Sequence, residues 1–588
     1  MLDVVISGGR VVDGTGAPAE VGDVAIRDGR IVSVGGRVTE TAQRRLDADG
    51  AIVTPGWVDV HTHYDGQVTW DEDLEPSATN GVTTLVMGNC GVGFAPVRPG
   101  TEQALIELME GVEDIPGTAL HEGMPWGAWE SFGDYLDHLA TRRWSVDVGA
   151  QLAHGALRFY AMGERGRADV DATAEELATM AELTRQAMDA GALGFSTSRT
   201  IGHRALDGVP VPGTFAAEAE LVAIVGAMRD AGRGVIEAIP AGTVGSLEAL
   251  GGERAVPATE ARMLARLAAA SGRPVTFTTI QIAESPDHWR EVLAVAAEAN
   301  AAGVRLRPQV APRSVTVMTS LSAYHLFMRR PTYLRDLAHL PLADRVAAMR
   351  RPEVRTALLS ERDVPADRPG SMQSIGPLFA RALPVLFPLT APLDYEPTLD
   401  RSVAAQAAAL GKDPIEHLYD LYLADEGRAF YAIFGSNFVG GSLEPCREML
   451  ADPNTVTGLS DAGAHVNFIC DCTMPTFHLT HWVRDRTRGE RLGLEQIVHK
   501  LTANNAALYG LADRGVLAPG MRADVNVIDL DALTIQPPFT RNDLPAGGSR
   551  VLQPSTGYLA TLVAGAVTRE RDTDTGARPG RLVRGSRF

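Results

Sequence analysis

Eight apolar, strand-like runs separated by amphipathic helical patterns constrain this sequence more than any other feature. They fall at residues 52–60, 83–90, 146–153, 192–197, 234–239, 275–281, 304–310 and 456–461. Strands that are apolar on both faces suit a parallel sheet covered by helices, and the patterns between them supply the cover. In 174–190 the apolar residues recur at 177, 180, 183, 187 and 188, and 216–231 and 259–270 read the same way. Eight such units predict a closed (β/α)8 barrel, whose active side is the C-terminal end of its strands. Hydrophobic residues make up 45% of the 588, enough to fill such a core and to exclude a disordered chain.

The two ends of the chain have a different rhythm. Residues 3–7 and 10–13 lie around Gly8-Gly9, and 24–27 and 31–34 flank Asp28-Gly29-Arg30, a hairpin signal. Residues 523–530 are rich in Val and Ile, and 558–569 read as two strands about Ala564-Gly565. A small β-sandwich domain assembled from both termini is therefore expected, from 1–54 and 513–588. The barrel takes 55–319 for strands one to seven and 429–512 for its last strand and helix. Residues 320–428 break the alternation and are too long for a loop. With helical stretches at 402–410 and 415–423, they read as a mainly helical insertion.

Several function classes are excluded early. A formal charge of −19 argues against a partner held by its phosphates, so no nucleic acid is expected. Four cysteines, Cys90, Cys446, Cys470 and Cys472, are too few for a disulfide scaffold. The start, Met1-Leu2-Asp3-Val4-Val5, has no basic signal-peptide region, and no apolar run approaches the roughly 20 residues that span a bilayer. A cytoplasmic protein acting on a small molecule, without a membrane partner, is the expectation.

The chemistry concentrates in two places. In Thr54-Pro55-Gly56-Trp57-Val58-Asp59-Val60-His61-Thr62-His63, residues two apart share a face, so His61 and His63 project together from the end of the first barrel strand. Paired imidazoles there suit a borderline-soft divalent ion such as zinc. At the other end of the barrel sequence, Gly458-Leu459-Ser460-Asp461 closes the eighth run. A carboxylate at that point can bind a metal, move a proton, or do both in turn.

At these residues the chain resembles the amidohydrolase superfamily: Val5-Ile6-Ser7-Gly8-Gly9, Thr54-Pro55-Gly56 leading into His61-x-His63, and Ser460-Asp461. Within it, Gly88-Asn89-Cys90-Gly91-Val92-Gly93-Phe94-Ala95-Pro96 is similar to the N-acyl-D-amino-acid deacylases (D-aminoacylases). So are Glu110-Gly111-Val112-Glu113-Asp114-Ile115-Pro116, Gly194-Phe195-Ser196-Thr197-Ser198 and the closing Arg514-Gly515 to Pro519-Gly520 to Ala523-Asp524. The resemblance implies a metal-dependent barrel that hydrolyses an amide on a small acylated amino acid.

It also implies a ligand set that can be checked by residue. Many amidohydrolases bridge two metals through a carboxylated lysine on strand four. This chain has two lysines, Lys412 in the insertion and Lys500 in the helical run 494–508, so that bridge is excluded. D-aminoacylases use a cysteine after strand two, and Cys90 matches it. The metal-binding histidines of that family on strands five and six are missing. Those runs hold Glu237, which could supply an oxygen, and Gln281, which could face the pocket. One Zn2+ rather than two is expected, held by His61, His63 and Asp461 with Cys90 or Glu237 completing the shell. Arg199, His203, His154 and His465 are further candidates for touching substrate, and Cys470-Asp471-Cys472 reads as structural.

The function expected is hydrolysis of an amide C–N bond by metal-activated water, with Asp461 as general base and then acid. A cyclic amide, a non-hydrolytic lyase or decarboxylase reaction on the same fold, and a metal-free scaffold remain open alternatives.

Overall fold

The computed structural model describes residues 1–586. Eight parallel strands stand side by side in chain order: Trp57–Asp59, Val82–Met87, Asp147–Ala153, Gly194–Ser198, Val235–Ile239, Val275–Thr279, Leu306–Val310 and Val456–Thr457. The ring closes where the eighth strand meets the first. Thr62 bridges Ala462 in parallel, the His63 N–H donates to the Ala462 carbonyl at 2.9 Å, and the Asp461 N–H donates to the His61 carbonyl at 3.2 Å.

The covering helices form where the sequence encodes their ends. Ala174–Ala190 starts at Thr173, whose hydroxyl accepts the Glu176 N–H while Glu176 reaches back to the Thr173 N–H. It stops at Gly191, whose φ of 104° few other residues adopt. Met180, Thr184, Ala187 and Met188 are its buried face, with Leu177 and Leu183 packed at the margin.

The run expected as one strand at 52–60 is two. Ile52–Pro55 pairs antiparallel with Val525–Ile528, while Trp57–Asp59 pairs with the second barrel strand. Gly56 is the joint. A Cβ there would lie 2.2 Å from the Thr83 side chain, so a bare backbone is needed where strand one crosses strand two.

Both ends of the chain contribute to one nine-stranded mixed sheet. Its first strand, Leu2–Val11, is continuous with an irregularity between Ile6 and Gly9, where the sequence suggested two short strands. Val4, Ile6, Val24, Val53, Val525 and Leu562 give it a core of its own. Beyond that sheet the chain returns to the barrel. Gly580 bridges Trp144, Leu582 bridges Val148, and the Gly585 N–H donates to the Gly191 carbonyl at 2.9 Å.

Between strands seven and eight, Thr316–Thr319, Leu386–Pro388 and Tyr431–Phe434 form a small antiparallel sheet. The helices Leu342–Met349, Val403–Leu410 and Pro414–Tyr422 lie in the same segment, which packs around Phe327, Leu337, Phe379 and Tyr422. Thr316–Thr319 also touches the loop after strand eight: Val317 bridges Ile469, and the Met318 N–H donates to the Phe468 carbonyl at 2.6 Å. Among the described residues no helix is long and apolar enough to cross a membrane.

Candidate active site

Beyond strand one the chain places His61 and His63 together, their ring centroids 5.3 Å apart. Strand two is followed by Gly88-Asn89-Cys90. A Cβ on Gly88 would lie 2.4 Å from the Gln151 carbonyl and its φ is 82°, so glycine is required for the turn that presents Cys90. The Cys90 Sγ lies 3.3 Å from His61 Nε2 and 3.8 Å from His63 Nε2. Asp461 brings Oδ1 to 3.4 Å from His61 Nε2 and 3.8 Å from His63 Nε2. Glu237, fully buried on strand five, accepts the Cys90 N–H on Oε2 at 3.0 Å. These five predicted residues converge at the C-terminal rim of the barrel. Cys90 (φ 56°) and Asp461 (φ 46°) are both left-handed. That conformation costs on the order of 1–3 kcal/mol for a residue with a Cβ and persists only where the surroundings enforce it.

Both histidines present the same nitrogen to the cluster. His61 Nδ1 lies 2.9 Å from Gln309 Oε1, and His63 Nδ1 lies 3.2 Å from Glu113 Oε1. With the proton on Nδ1 in each ring, both Nε2 lone pairs face the thiol and Asp461.

The electrostatics are those of acids and imidazoles packed without a counter-charge. Burial lowers His61 to about 4 and holds His63 well below its ordinary value, helped by repulsion from His61, His465 and His203. Burial raises Asp461 to about 8, with Asp471 and Asp59 adding to it, and raises Glu237 to about 8 against the Cys90 N–H. It also pushes the Cys90 thiol and the Glu113 carboxyl up, and the neighbouring carboxylates push both further. The imidazoles are thus neutral with lone pairs to offer, and the raised carboxyls are ones that a nearby cation would ionise.

This donor set fits a divalent ion. The ligand atoms of His61, His63 and Cys90 lie within 4.8 Å of one another. Asp461 Oδ1 and Glu237 Oε1 are buried with no hydrogen-bond donor. Nitrogen, sulfur and carboxylate oxygen are the ligands zinc takes, and an orphaned buried carboxylate oxygen is costly unless something positive meets it.

Two weaker candidates lie beside the cluster. His203 Nδ1 is 3.1 Å from the Ser198 hydroxyl, and burial lowers the ring to about 4. His465, also left-handed at φ 49°, has Nε2 3.5 Å from Glu113 Oε2 and is lowered to about 3, mainly by burial.

Three further candidates have polar ends that are engaged within the fold. His154 is buried with Nδ1 2.8 Å from the Thr197 hydroxyl and Nε2 2.9 Å from Glu220. Arg199 donates to Glu260 and to the Ala216 carbonyl, both at 2.8 Å. The Gln281 amide donates to the Pro286 carbonyl at 3.1 Å and accepts the Val439 N–H at 3.2 Å.

The lysines lie elsewhere. Lys500 donates to the Asp452 and Thr455 carbonyls at 2.6 and 2.8 Å, below the start of strand eight, and Lys412 pairs with Asp420 at 3.2 Å. Cys470 and Cys472 have sulfurs 3.5 Å apart around Asp471, which is buried against Arg313 at 2.5 Å. A surface cleft of about 840 Å3 between Leu340–Arg345 and Phe539 contains none of the cluster residues. Residues that the sequence reading gave no role are Gln309, Glu113 and Asp59. Asp59 accepts the His61 N–H at 3.2 Å and the Ser460 hydroxyl at 2.5 Å, tying strand one to the Asp461 turn.

A closed (β/α)8 barrel whose strand ends gather histidines, a thiol and carboxylates, with an aspartate after the last strand, defines a barrel enzyme of the hydrolytic kind. The chain belongs to the amidohydrolase family, whose model matches residues 44–569. It is 28% identical to an N-acyl-D-glutamate deacylase of Alcaligenes xylosoxydans xylosoxydans, over 99% of this chain and 96% of the relative. A D-aminoacylase from the same organism is 35% identical over a shorter match, 33% of this chain and 37% of that protein. The fold is that of the crystal structure of an N-acyl-D-glutamate deacylase from Bordetella bronchiseptica complexed with zinc and a phosphonate inhibitor. That structure is 24% identical with a TM-score of 0.64, over 99% of this chain and 100% of that one. The chain is therefore a hydrolase acting on carbon–nitrogen bonds other than peptide bonds.

Proposed function

We propose that this chain is a metal-dependent deacylase of small N-acylated amino acids, with N-acyl-D-amino acids as the nearest substrate class. The observation that carries the reading is the convergence of two imidazole Nε2 atoms, the Cys90 thiol and an Asp461 oxygen that no donor meets. The names of the D-aminoacylase and the N-acyl-D-glutamate deacylase support the substrate class.

His61, His63 and Cys90 would hold one divalent ion, zinc by ligand type, with Asp461 or Glu237 completing the shell. One ion rather than two fits this chain, because strands five and six offer Glu237 and threonines where histidines would serve a second. When bound, the ion supplies a Lewis acid that polarises an amide carbonyl and makes water a better nucleophile at neutral pH.

The remaining chemistry belongs to the chain's own side chains. Asp461 Oδ1 is free to take the proton from the attacking water and to return it to the leaving nitrogen. Its left-handed backbone and its N–H bond to the His61 carbonyl hold it against strand one. Gln309 keeps the His61 Nδ1 proton in place, so that Nε2 lone pair stays available, and Glu113 lies beside Nδ1 of His63.

The test is release of free amine from a panel of N-acetyl-D- and N-acetyl-L-amino acids, with metal content measured in parallel. Turnover of D-substrates by protein carrying close to one zinc per chain is the expected result. Zinc-loaded protein that cleaves no member would move the search to cyclic amides. Protein that takes up no divalent ion would overturn the metal-dependent reading.

A further inference from the structure

The segment Glu110–Pro116 takes no direct part in the reaction above, yet two of its three acids, Glu113 and Asp114, press on the reactive loop. The helix Glu102–Glu113 ends there, and Asp114 turns the chain with a φ of 53°. Glu113 is 1% exposed and has two histidines in reach: His63 Nδ1 at 3.2 Å from Oε1 and His465 Nε2 at 3.5 Å from Oε2. The main chain joins the same elements, since the His465 N–H donates to the Glu113 carbonyl. Asp114 continues the contact. Its Oδ2 accepts the Asn467 N–H at 3.2 Å, and its Oδ1 accepts the Tyr324 hydroxyl at 2.7 Å.

We propose that Glu113 is a positioning residue shared by two histidines: one carboxylate fixes the proton on His63 Nδ1 and on His465 Nε2. It thereby sets the aim of His63 Nε2 and the seat of the Asp461 loop together. This rests on the metal-dependent reading of the site.

The geometry narrows the role. Neither Glu113 oxygen has a hydrogen-bond donor in place, and His63 Nδ1 beside it is likewise without a partner. A buried carboxylate left that way costs more than a neutral group left unmet. The two rings are the proton-bearing side chains placed against it, and imidazole ring torsions are soft. An apolar residue would fill the space without that cost, so packing does not explain a carboxylate here. The left-handed His465 donates its N–H to the Glu113 carbonyl and sets its ring beside the Glu113 carboxyl, which ties the loop of residues 461–467 to the helix end. Loss of the carboxylate frees His63 to place its proton on either nitrogen, and one of those tautomers blocks Nε2.

The test uses the full chain stripped of metal and titrated with Co2+, whose visible bands report ligand geometry. Glu113→Ala is expected to weaken Co2+ binding about 10–100-fold and to shift the bands. Glu113→Gln, which keeps an acceptor for His63, should recover part of that loss; it also serves if the alanine variant does not fold. His465→Ala combined with Glu113→Ala should cost less than the two single losses added, because both act through one carboxylate. A folded Glu113 variant with unchanged Co2+ affinity and bands would overturn this proposal alone. Unmodified protein that takes up no Co2+ would overturn it together with the metal-dependent reading.

Discussion

Gln309 and His61 meet from strands seven and one, the amide oxygen 2.9 Å from the imidazole Nδ1. The contact fixes which nitrogen of His61 is free to bind. Replacing Gln309 with methionine keeps the length and removes the acceptor. Zinc affinity, measured by competition with a chromophoric chelator, is expected to fall about 10–100-fold with the fold intact. Unchanged affinity would show that Gln309 only fills space.

Asp461→Asn separates catalysis from binding. The change keeps the size and one oxygen but removes the base. Loss of a general acid–base is expected to cost about 10²–10⁴-fold in kcat, with a smaller change in KM and the metal retained. His61→Ala should lose metal as well as rate. Near-normal turnover by a metal-loaded Asp461→Asn protein would remove Asp461 from the mechanism.

Glu220 gives a pH test outside the metal-ligand cluster. Burial pushes this carboxyl up, but hydrogen bonds and charge from His154 and Arg158 outweigh burial and hold it at about 2, below its ordinary 4.5. A carboxyl lowered in the folded state contributes stability that is present above pH 4.5 and lost as pH falls through about 2. Glu220→Gln should therefore lower Tm at pH 7, and its deficit should shrink between pH 4.5 and 2. Calorimetry across that range would count against the assignment if the deficit stayed constant.

Arg199 donates to Glu260 and the Ala216 carbonyl, contacts that hold the loop after strand four. Arg199→Met is expected to lower Tm and leave KM for an N-acyl-D-amino acid within about twofold, since uniform binding would be untouched. A large rise in KM with unchanged Tm would restore Arg199 to the binding site.

The barrel was legible because its strands are apolar on both faces and its helices carry their own ends, as Thr173 and Gly191 do for Ala174–Ala190. His61, His63 and Asp461 were legible because strand periodicity fixes which way they point. The break at Gly56 was not, since it depends on Thr83, far along the chain. Nor were the partners of His154 and Arg199, which lie 66 and 61 residues away and on different helices. Glu113 sat in a motif that matched the family, but nothing in the sequence says that a helix end will lie against strand one. Contacts across the barrel mouth are set by tertiary packing, and no local period records them.

The strand Ile52–Pro55 lies between Leu2–Val11 and Val525–Ile528. On the ribosome its first neighbour emerges before the barrel and its second only near the end of the chain. Through most of synthesis it therefore presents a bare edge of unpaired amides, the kind that recruits a foreign strand. The segment at Gly580–Gly585 comes later still, and it is what Trp144 and Val148 wait for. A nascent chain halted before Val525 would carry a finished set of metal-side histidines on a sheet that could still pair with the wrong partner.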